Sequence, residues 1–395
     1  MPVRFVIAIC LAAGTLAVAT MLSARPGDGT ALSLSLIVGL GLGLALQRSR
    51  FCFFCHARDF IEKRDPRGLL AILLALAIGM AGYHFLFGAW LPRPVAPRLP
   101  PEAFIGPVSW VLALAGIVFG LGMAVSGSCI SAHLYRLGEG SPTSPFALIG
   151  AVVGIGLGFL PWNPLYVLAV AGAPPLWLPH FLGYGGSLVL QLAAIGGLAL
   201  LLMRHLPASA SAGGIVPPGL RPRLARLFEG RWPYWTGGAI VGVIGFAIIL
   251  RLPPLGVTAA LSAAARENGT ALGALPSRLE GLDILKGCAT LIRSGLISPN
   301  LLLIVGIVLG GVVGGVAARQ FAPVRPQARD VARGLIGGIL LGWGAMTALG
   351  CTVGTLLSGI MAGAVSGWLF AVAAFAGVWL GLILLPRLAP GLAPR

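Results

Sequence analysis

The sequence predicts an all-α polytopic membrane protein: about nine or ten transmembrane helices plus broken re-entrant half-helices, in two pseudo-symmetric inverted halves. Three observations carry this. Hydrophobic residues make up 57% of the 395 residues and charged ones 10%, a balance too apolar for a soluble chain of this length. Apolar runs able to cross roughly 30 Å of hydrocarbon recur along its whole length. Spanning backbone must also satisfy its own hydrogen bonds, which makes runs this long and apolar helical.

The first run, 5–23, follows Arg4 and has the look of a signal peptide. The SARPGDG that follows is a poor small-residue cleavage site, so an uncleaved leader helix is expected. Further spans lie near 31–46, 68–90, 108–125, 143–161 and 183–203, then near 234–252, 299–318, 332–349 and 365–385. Between the two sets runs a basic Pro/Gly-containing linker, 204–233, dividing an N-terminal half (1–203, leader plus first repeat) from a C-terminal half (234–395, second repeat). Fifty-nine glycines suit close helix contacts and tight re-entrant turns, although membrane helices are enriched in glycine generally.

Net charge is +16 and almost all arginine, Lys63 and Lys286 being the only lysines. The arginines crowd into short loops beside spans, so the charge orients the chain in a lipid bilayer and draws anions; no nucleic-acid partner is expected. Loops 47–67, 204–233 and 319–333 are basic and belong in the cytoplasm, with the N-terminus. Loops 91–107, 162–180 and 350–364 then face outward and 126–142 inward. The count closes only if 253–298 enters and leaves from one face; its short apolar pieces, broken by Pro, Gly and charge, read as half-helices lining a cavity, or as an extramembrane loop.

Each half holds a span, a glycine-rich turn with a cysteine, and a second span: GMAVSGSCISAHLYRLGEGSP around Cys129 and GAMTALGCTVGTLLSGIMAG around Cys351. Gly122 and Gly344 precede the two cysteines by the same interval. The topology turns the Cys129 turn inward and the Cys351 turn outward, as inverted repeats require.

Of six cysteines, Cys10 in the first span reads as a small apolar filler, and Cys288 in a broken segment first reads the same way. Cys52, Cys55 and His56 spell the haem-attachment pattern, but haem belongs on the outer face and this loop is basic. A tetrahedral metal site lacks a second ligand pair. Thiol–disulfide exchange remains an alternative, since Arg48 and Arg50 favour a thiolate. Cys129 and Cys351 follow Gly127-Ser128 and Gly350 and precede short helical stretches, Thr352 opening the second. Backbone amides there favour an anion, and a thiol adds a polarisable S–H donor suited to sulfur on a solute. Buried cysteines in glycine-lined helix contacts are the plainer alternative.

RSRFCF at 48–53, GSCISAHLYRLGEG at 127–140 and GCTVGTLLSG at 350–359 together resemble the YeeE/YedE family of membrane transporters for thiosulfate and related sulfur compounds, in order and over most of the chain. The resemblance implies an hourglass-shaped fold in a bacterial inner membrane, with Cys52, Cys129 and Cys351 lining a central path from Cys351 outside, past Cys129, to Cys52 inside. It implies no enzyme and no cofactor, a thiosulfate-like anion as cargo, and a small cytoplasmic sulfur carrier as a partner. The implied binding set is Cys52, Cys129, Cys351, Gly127, Ser128, Gly350 and Thr352. Two positions depart from the family pattern: Cys55-His56, where members carry small residues, and Ala132-His133, where a glycine is common. Alternatives are a thiol redox protein using Cys52 and Cys55, an importer or exporter of another sulfur or selenium compound, and a structural scaffold. Glu139, His133, His180, Glu280 and Asp283 are the ionisable groups near membrane segments that can carry a proton, Glu139 being expected to pair with Arg136 instead.

Overall fold

Helices supply the regular structure of the computed structural model, with one isolated bridge between Trp177 and Ala364; the described residues are 3–95, 98–100, 103–206, 230–276, 278–290 and 297–391. Among them 7 helices are long and apolar enough to cross a membrane, or 9 if each of two bent pairs counts as one span. The fold is therefore all-helical and multi-pass, with broken spans.

In chain order, α1 is Val3–Ser23, α2 Gly29–Ser49, α3 Phe53–Lys63 and α4 Arg67–Trp90. Next come α5, Trp110–Ser126, α6, Ile130–Gly138, and α7, Ser144–Phe159. The short α8, Trp162–Leu165, runs on as a π-helical turn at Tyr166–Val170, bent 60° from α7. After α9, Leu178–Met203, the linker residues 207–229 lie outside the described residues, so its expected boundaries and arginines there are not placed. The second half has α10, Tyr234–Ala247, α11, Ala259–Ala271, α12, Pro299–Ala317, and α13, Ala328–Thr347. A π-helical stretch, Thr352–Ser358, continues into Gly359–Met361, together α14, bent 43° from α13; α15, Val365–Leu388, closes the chain.

Sequence chemistry sets several of these limits. Ser109 and Ser298 cap α5 and α12 by accepting from Leu112 N and Leu301 N, both at 3.3 Å, and Pro299 follows at a position where the missing N–H costs nothing. Asp330 returns a bond to Gln327 N at 3.0 Å, completing a capping box on α13.

Three stretches assigned to loops contain helices, two of them the short helices expected after Cys129 and Cys351. Within 47–67 lies α3, within 126–142 lies α6, and within 350–364 lies α14. These helices are short and, in α3 and α6, polar on one face, so windows tuned to full spans pass over them. In 253–298, Val257 and Thr258 at the start of α11 and Cys288 in the 3₁₀ turn Cys288–Thr290 are at most 1% exposed, so this region reaches the protein core. Cys10 is exposed on α1 and is not an interior filler. A side chain on the lipid-facing side of a peripheral helix is solvated by hydrocarbon, so an apolar residue there need not be buried in protein.

Packing is dense and follows a pattern. The principal partners are α2 with α12, α4 with α10, α5 with α15, α7 with α13, and α5 with α13. Exchanging α2, α4, α5 and α7 for α10, α12, α13 and α15 leaves this set unchanged, with α1 and α9 outside it. Glycine permits the approach: a Cβ on Gly122 of α5 would stand 2.7 Å from Leu341 N of α13, and one on Gly344 of α13 would stand 2.8 Å from Ala115 O of α5. Lipid offers no hydrophobic gain for joining helices, so backbone-to-backbone contact of this kind supplies the association energy.

Candidate functional site

Four chain breaks deliver residues to the middle of the bundle, each followed by a helix whose N-cap is a cysteine or threonine. At the first, α2 ends with Arg50 in the left-handed region (φ 51) and Phe51 N bonded back to Leu46 O at 3.0 Å. Cys52 is then extended, fully buried, and caps α3, its carbonyl accepting from His56 N at 3.1 Å. At the second, Gly127 turns the chain with φ 85, a conformation in which a side chain would be strained. Cys129 caps α6, and its carbonyl accepts from His133 N at 3.0 Å. At the third, Thr258 caps α11. At the fourth, Leu349 rather than Gly350 takes the left-handed conformation (φ 60), and Cys351 caps α14, accepting from Thr355 N at 2.8 Å.

The breaks form two groups. In the first, the Cys52 thiol contacts both the Cys129 and the Cys55 thiols, and Cys129 Sγ lies 3.2 Å from Ser131 Oγ. Two guanidiniums reach the same turn. Arg136 donates to Cys55 Sγ at 3.2 Å and to Gly127 O at 3.4 Å, while Arg333 of α13 donates to Val125 O at 3.0 Å, at the carbonyl end of α5. Neither has a carboxylate partner among the described residues. Ser128 Oγ and His133 Nε2 are buried without hydrogen-bond partners there. Positive charge beside unpartnered donors is a setting for an anion.

In the second group, Thr258 adjoins the thiols of Cys351 and Cys288. Between the groups lies an apolar void bounded by Phe51, Phe53 and Ser131 on one side and Val257 and Val353 on the other. Its volume, about 10 Å³, sits at the lower limit for a single water, so the two groups are separated by a closed neck.

On the basic face, Arg50, Arg136, Glu139 and Gln320 line a cavity of about 330 Å³. The expected Glu139–Arg136 pair is not formed. Glu139 Oε1 accepts instead from Gln47 Nε2 at 3.0 Å, because the end of α2 lies across the α6 turn. A narrower cleft on the opposite face carries Lys286, Gly287 and Thr355.

Cys52, Cys129 and Cys351 belong to one buried cluster, but only the first two touch. Gly127 and Gly350 shape the turns, and Ser128 and Thr352 are buried with hydroxyls unpartnered among the described residues. Cys55 turns to Arg136, and His56 is enclosed edge-on by Phe51 and Tyr234 at 5.7 and 5.1 Å. Of the proton-carrying candidates, His133 alone adjoins a thiol turn. Glu280 pairs with Arg278 at 3.6 Å, and His180 Nδ1 contacts Pro94 O at 3.0 Å. Sequence reasoning missed Thr258 and counted Arg333 only as an orientation charge, while Arg48, read there for orientation and for favouring a thiolate, is buried with all three guanidinium nitrogens unpartnered among the described residues. A threonine after Leu-Gly-Val, where its counterparts are cysteines, carries no signal of its own.

A family model described as Sulphur transport matches residues 48–380. "Thiosulfate transporter TsuA" of Escherichia coli (strain K12) is 26% identical over 358 residues, 84% of this chain and 88% of that protein. "Thiosulfate transporter TsuA" of Spirochaeta thermophila is 29% identical over 342 residues, 84% of this chain and 92% of that protein.

Proposed function

We propose that this chain, which belongs to the Sulphur transport family, takes up thiosulfate or a related sulfur-containing anion along a path lined by the thiols of Cys52, Cys129 and Cys351. The carrying observation is that three of the four helix N-caps meeting inside the bundle are buried cysteines. Thiosulfate is a dianion with one soft terminal sulfur. Its oxygens suit the N-terminal amides of α6 and α14, around Gly127, Ser128, Gly350 and Thr352, together with the guanidiniums of Arg136 and Arg333. Its sulfur suits successive S–H donors. Thiols are weak donors, so each contact lets the anion leave as well as arrive.

The exchange symmetry of the packing supports two inverted halves, 1–203 and 234–395, joined by the 204–233 linker, with the path at their interface. Cys351 then stands at the outer end, and Cys129 and Cys52 at the inner, cytoplasmic end. The basic loops support a cytoplasmic N-terminus in a bacterial inner membrane, which puts the 330 Å³ cavity where a small sulfur-carrier protein would collect the cargo.

The test is growth of a bacterium lacking sulfate uptake on thiosulfate as its sole sulfur source. The chain is expected to restore growth, and Cys52→Ala, Cys129→Ala and Cys351→Ala each to abolish it. Wild-type growth with all three variants would overturn the path. The contact between Cys52 and Cys55 favours one second reading, a membrane thiol–disulfide exchanger. That reading gains if Cys55→Ser abolishes a redox activity while Cys129→Ala and Cys351→Ala leave thiosulfate accumulation intact. Export, or a different sulfur or selenium anion, gains if there is no rescue but liposomes holding the protein still show flux.

A further inference from the structure

Cys288 is a fully buried thiol that the three-cysteine path leaves out. Its side chain fills a hollow made by glycines: a Cβ on Gly256 would stand 2.9 Å from its sulfur, one on Gly350 3.6 Å, and one on Gly354 would overlap it. Gly350 and Gly354 flank Cys351, so the Cys288 sulfur lies against the first turn of α14. The backbone fixes it there, with Ala289 N donating to Leu349 O at 3.3 Å. Glycine at Gly256, Gly350 and Gly354 leaves these sides of the sulfur free of side chains.

Thr258 supplies an independent observation. It is 1% exposed, and its Oγ1 faces only the weakly bonding thiols of Cys288 and Cys351, with no oxygen or nitrogen partner among the described residues. A buried hydroxyl is rarely left unpaired unless a ligand or water completes it. A narrow cleft lined by Lys286, Gly287, Leu349 and Thr355, chain neighbours of Cys288 and Cys351, lies next to this spot.

Under the exchange of helices described above, Cys129 corresponds to Cys351. Cys52, at the N-cap after α2, corresponds to Thr258, at the N-cap after α10. One group thus has thiols at both N-caps, whereas the other has a hydroxyl at one of them. Cys288 restores a second thiol from a different element.

We propose that Cys288, with Thr258 and Cys351, forms a binding station for the sulfur end of a thiosulfate-class anion on the face opposite the basic loops, making Cys288 a fourth cargo-contacting thiol. This rests on the transport reading. Thr258 Oγ1 donates to an anion oxygen while the two thiols approach its terminal sulfur.

The test uses the full chain in proteoliposomes, reading initial rates of radiolabelled thiosulfate uptake against concentration, for Cys288→Ala, Thr258→Cys and the double variant. Cys288→Ala is expected to raise KM about threefold to tenfold, the scale of one lost weak hydrogen bond. Thr258→Cys in that background is expected to restore most of the loss, a rescue that a merely structural role for Cys288 does not predict. In the unmodified chain, thiosulfate is expected to slow labelling of Cys288 by a small methanethiosulfonate, read by peptide mass, a measurement that does not depend on any variant folding. Unchanged uptake kinetics in Cys288→Ala, or Cys288 labelling indifferent to thiosulfate, would overturn the station. If the unmodified chain shows no uptake but thiosulfate still protects Cys288, the transport reading fails and the station stands. If uptake is normal and Cys288 is unprotected, the station alone fails.

Discussion

Arg136 ties together more of the site than its position in a nine-residue helix suggests. Its two bonds, to Cys55 Sγ and Gly127 O, link the α3 and α5 breaks through one planar group. An ammonium cannot span both acceptors. Arg136→Lys is therefore expected to lower initial thiosulfate uptake about tenfold while the protein remains monodisperse, the cost of one lost charge-assisted hydrogen bond. Outside the spans, Asp65 shows electrostatics of a different weight. Its carboxyl is held below the usual range by hydrogen bonds from Arg67, whose guanidinium is bonded to it at 2.7 Å. A depressed folded pKa stabilises above the unfolded value, about 3.9, and the gain disappears as pH falls through the folded value. Both groups are partly exposed, so the stabilisation is below about 1 kcal/mol after screening. Asp65→Asn should thus melt slightly below the unmodified chain at pH 7, and the difference should shrink as pH falls below the unfolded value, about 3.9.

The broken spans are the elements on which the site depends, and their turns are where sequence constrains geometry most. Gly127 has φ 85 with Arg333 Nη2 already 3.2 Å from where a Cβ would be. Gly127→Ala is expected to cost about 1–2 kcal/mol, seen as a lower melting midpoint in detergent, and to weaken uptake by displacing the Cys129 turn. Gly156, on the same scale of residue change, has open space around it on α7, and Gly156→Ala should leave both readouts unchanged. If the two variants behaved alike, the left-handed turn at Gly127 would not be what constrains the site. The α3 stretch was invisible as an element because it is too short to span, and α6 and α14 showed only as short helical stretches after their cysteines, yet the N-caps of all three are what bring cysteines inward.

At the scale of the molecule, stability rests on backbone approaches between helices far apart in sequence. A Cβ on Gly150 would stand 2.6 Å from Leu335 O, and one on neighbouring Gly154 would overlap Ile339 O, both where α7 meets α13. Gly154→Val is expected to abolish a monodisperse peak in size-exclusion chromatography, since no partner side chain can move to relieve a contact with backbone. Orientation is tested at the same scale. Arg325→Cys and Gly172→Cys, both exposed, should react with an impermeant thiol reagent from opposite sides of sealed cells, with Arg325→Cys protected until the membrane is opened. Reaction of both from outside would reverse the assignment of the basic loops.

The sequence by itself determined the fold class, the span positions and the cysteine turns. Each depends on local properties: a run of apolar residues, a cluster of arginines, a glycine beside a cysteine. It also carried the family resemblance, through three motifs in order. What it left undecided was which groups meet. Arg333 reaches Val125 across 208 residues, and Glu139 leaves Arg136 for Gln47, because helix packing chooses partners by shape and proximity rather than by neighbourhood in the chain. The same holds for Thr258 and Cys288, two unremarkable residues in a broken segment. Only the tertiary structure sets them beside Cys351, because glycines on two separate segments, Gly256 on one and Gly350 and Gly354 on the other, leave the room for them to arrive.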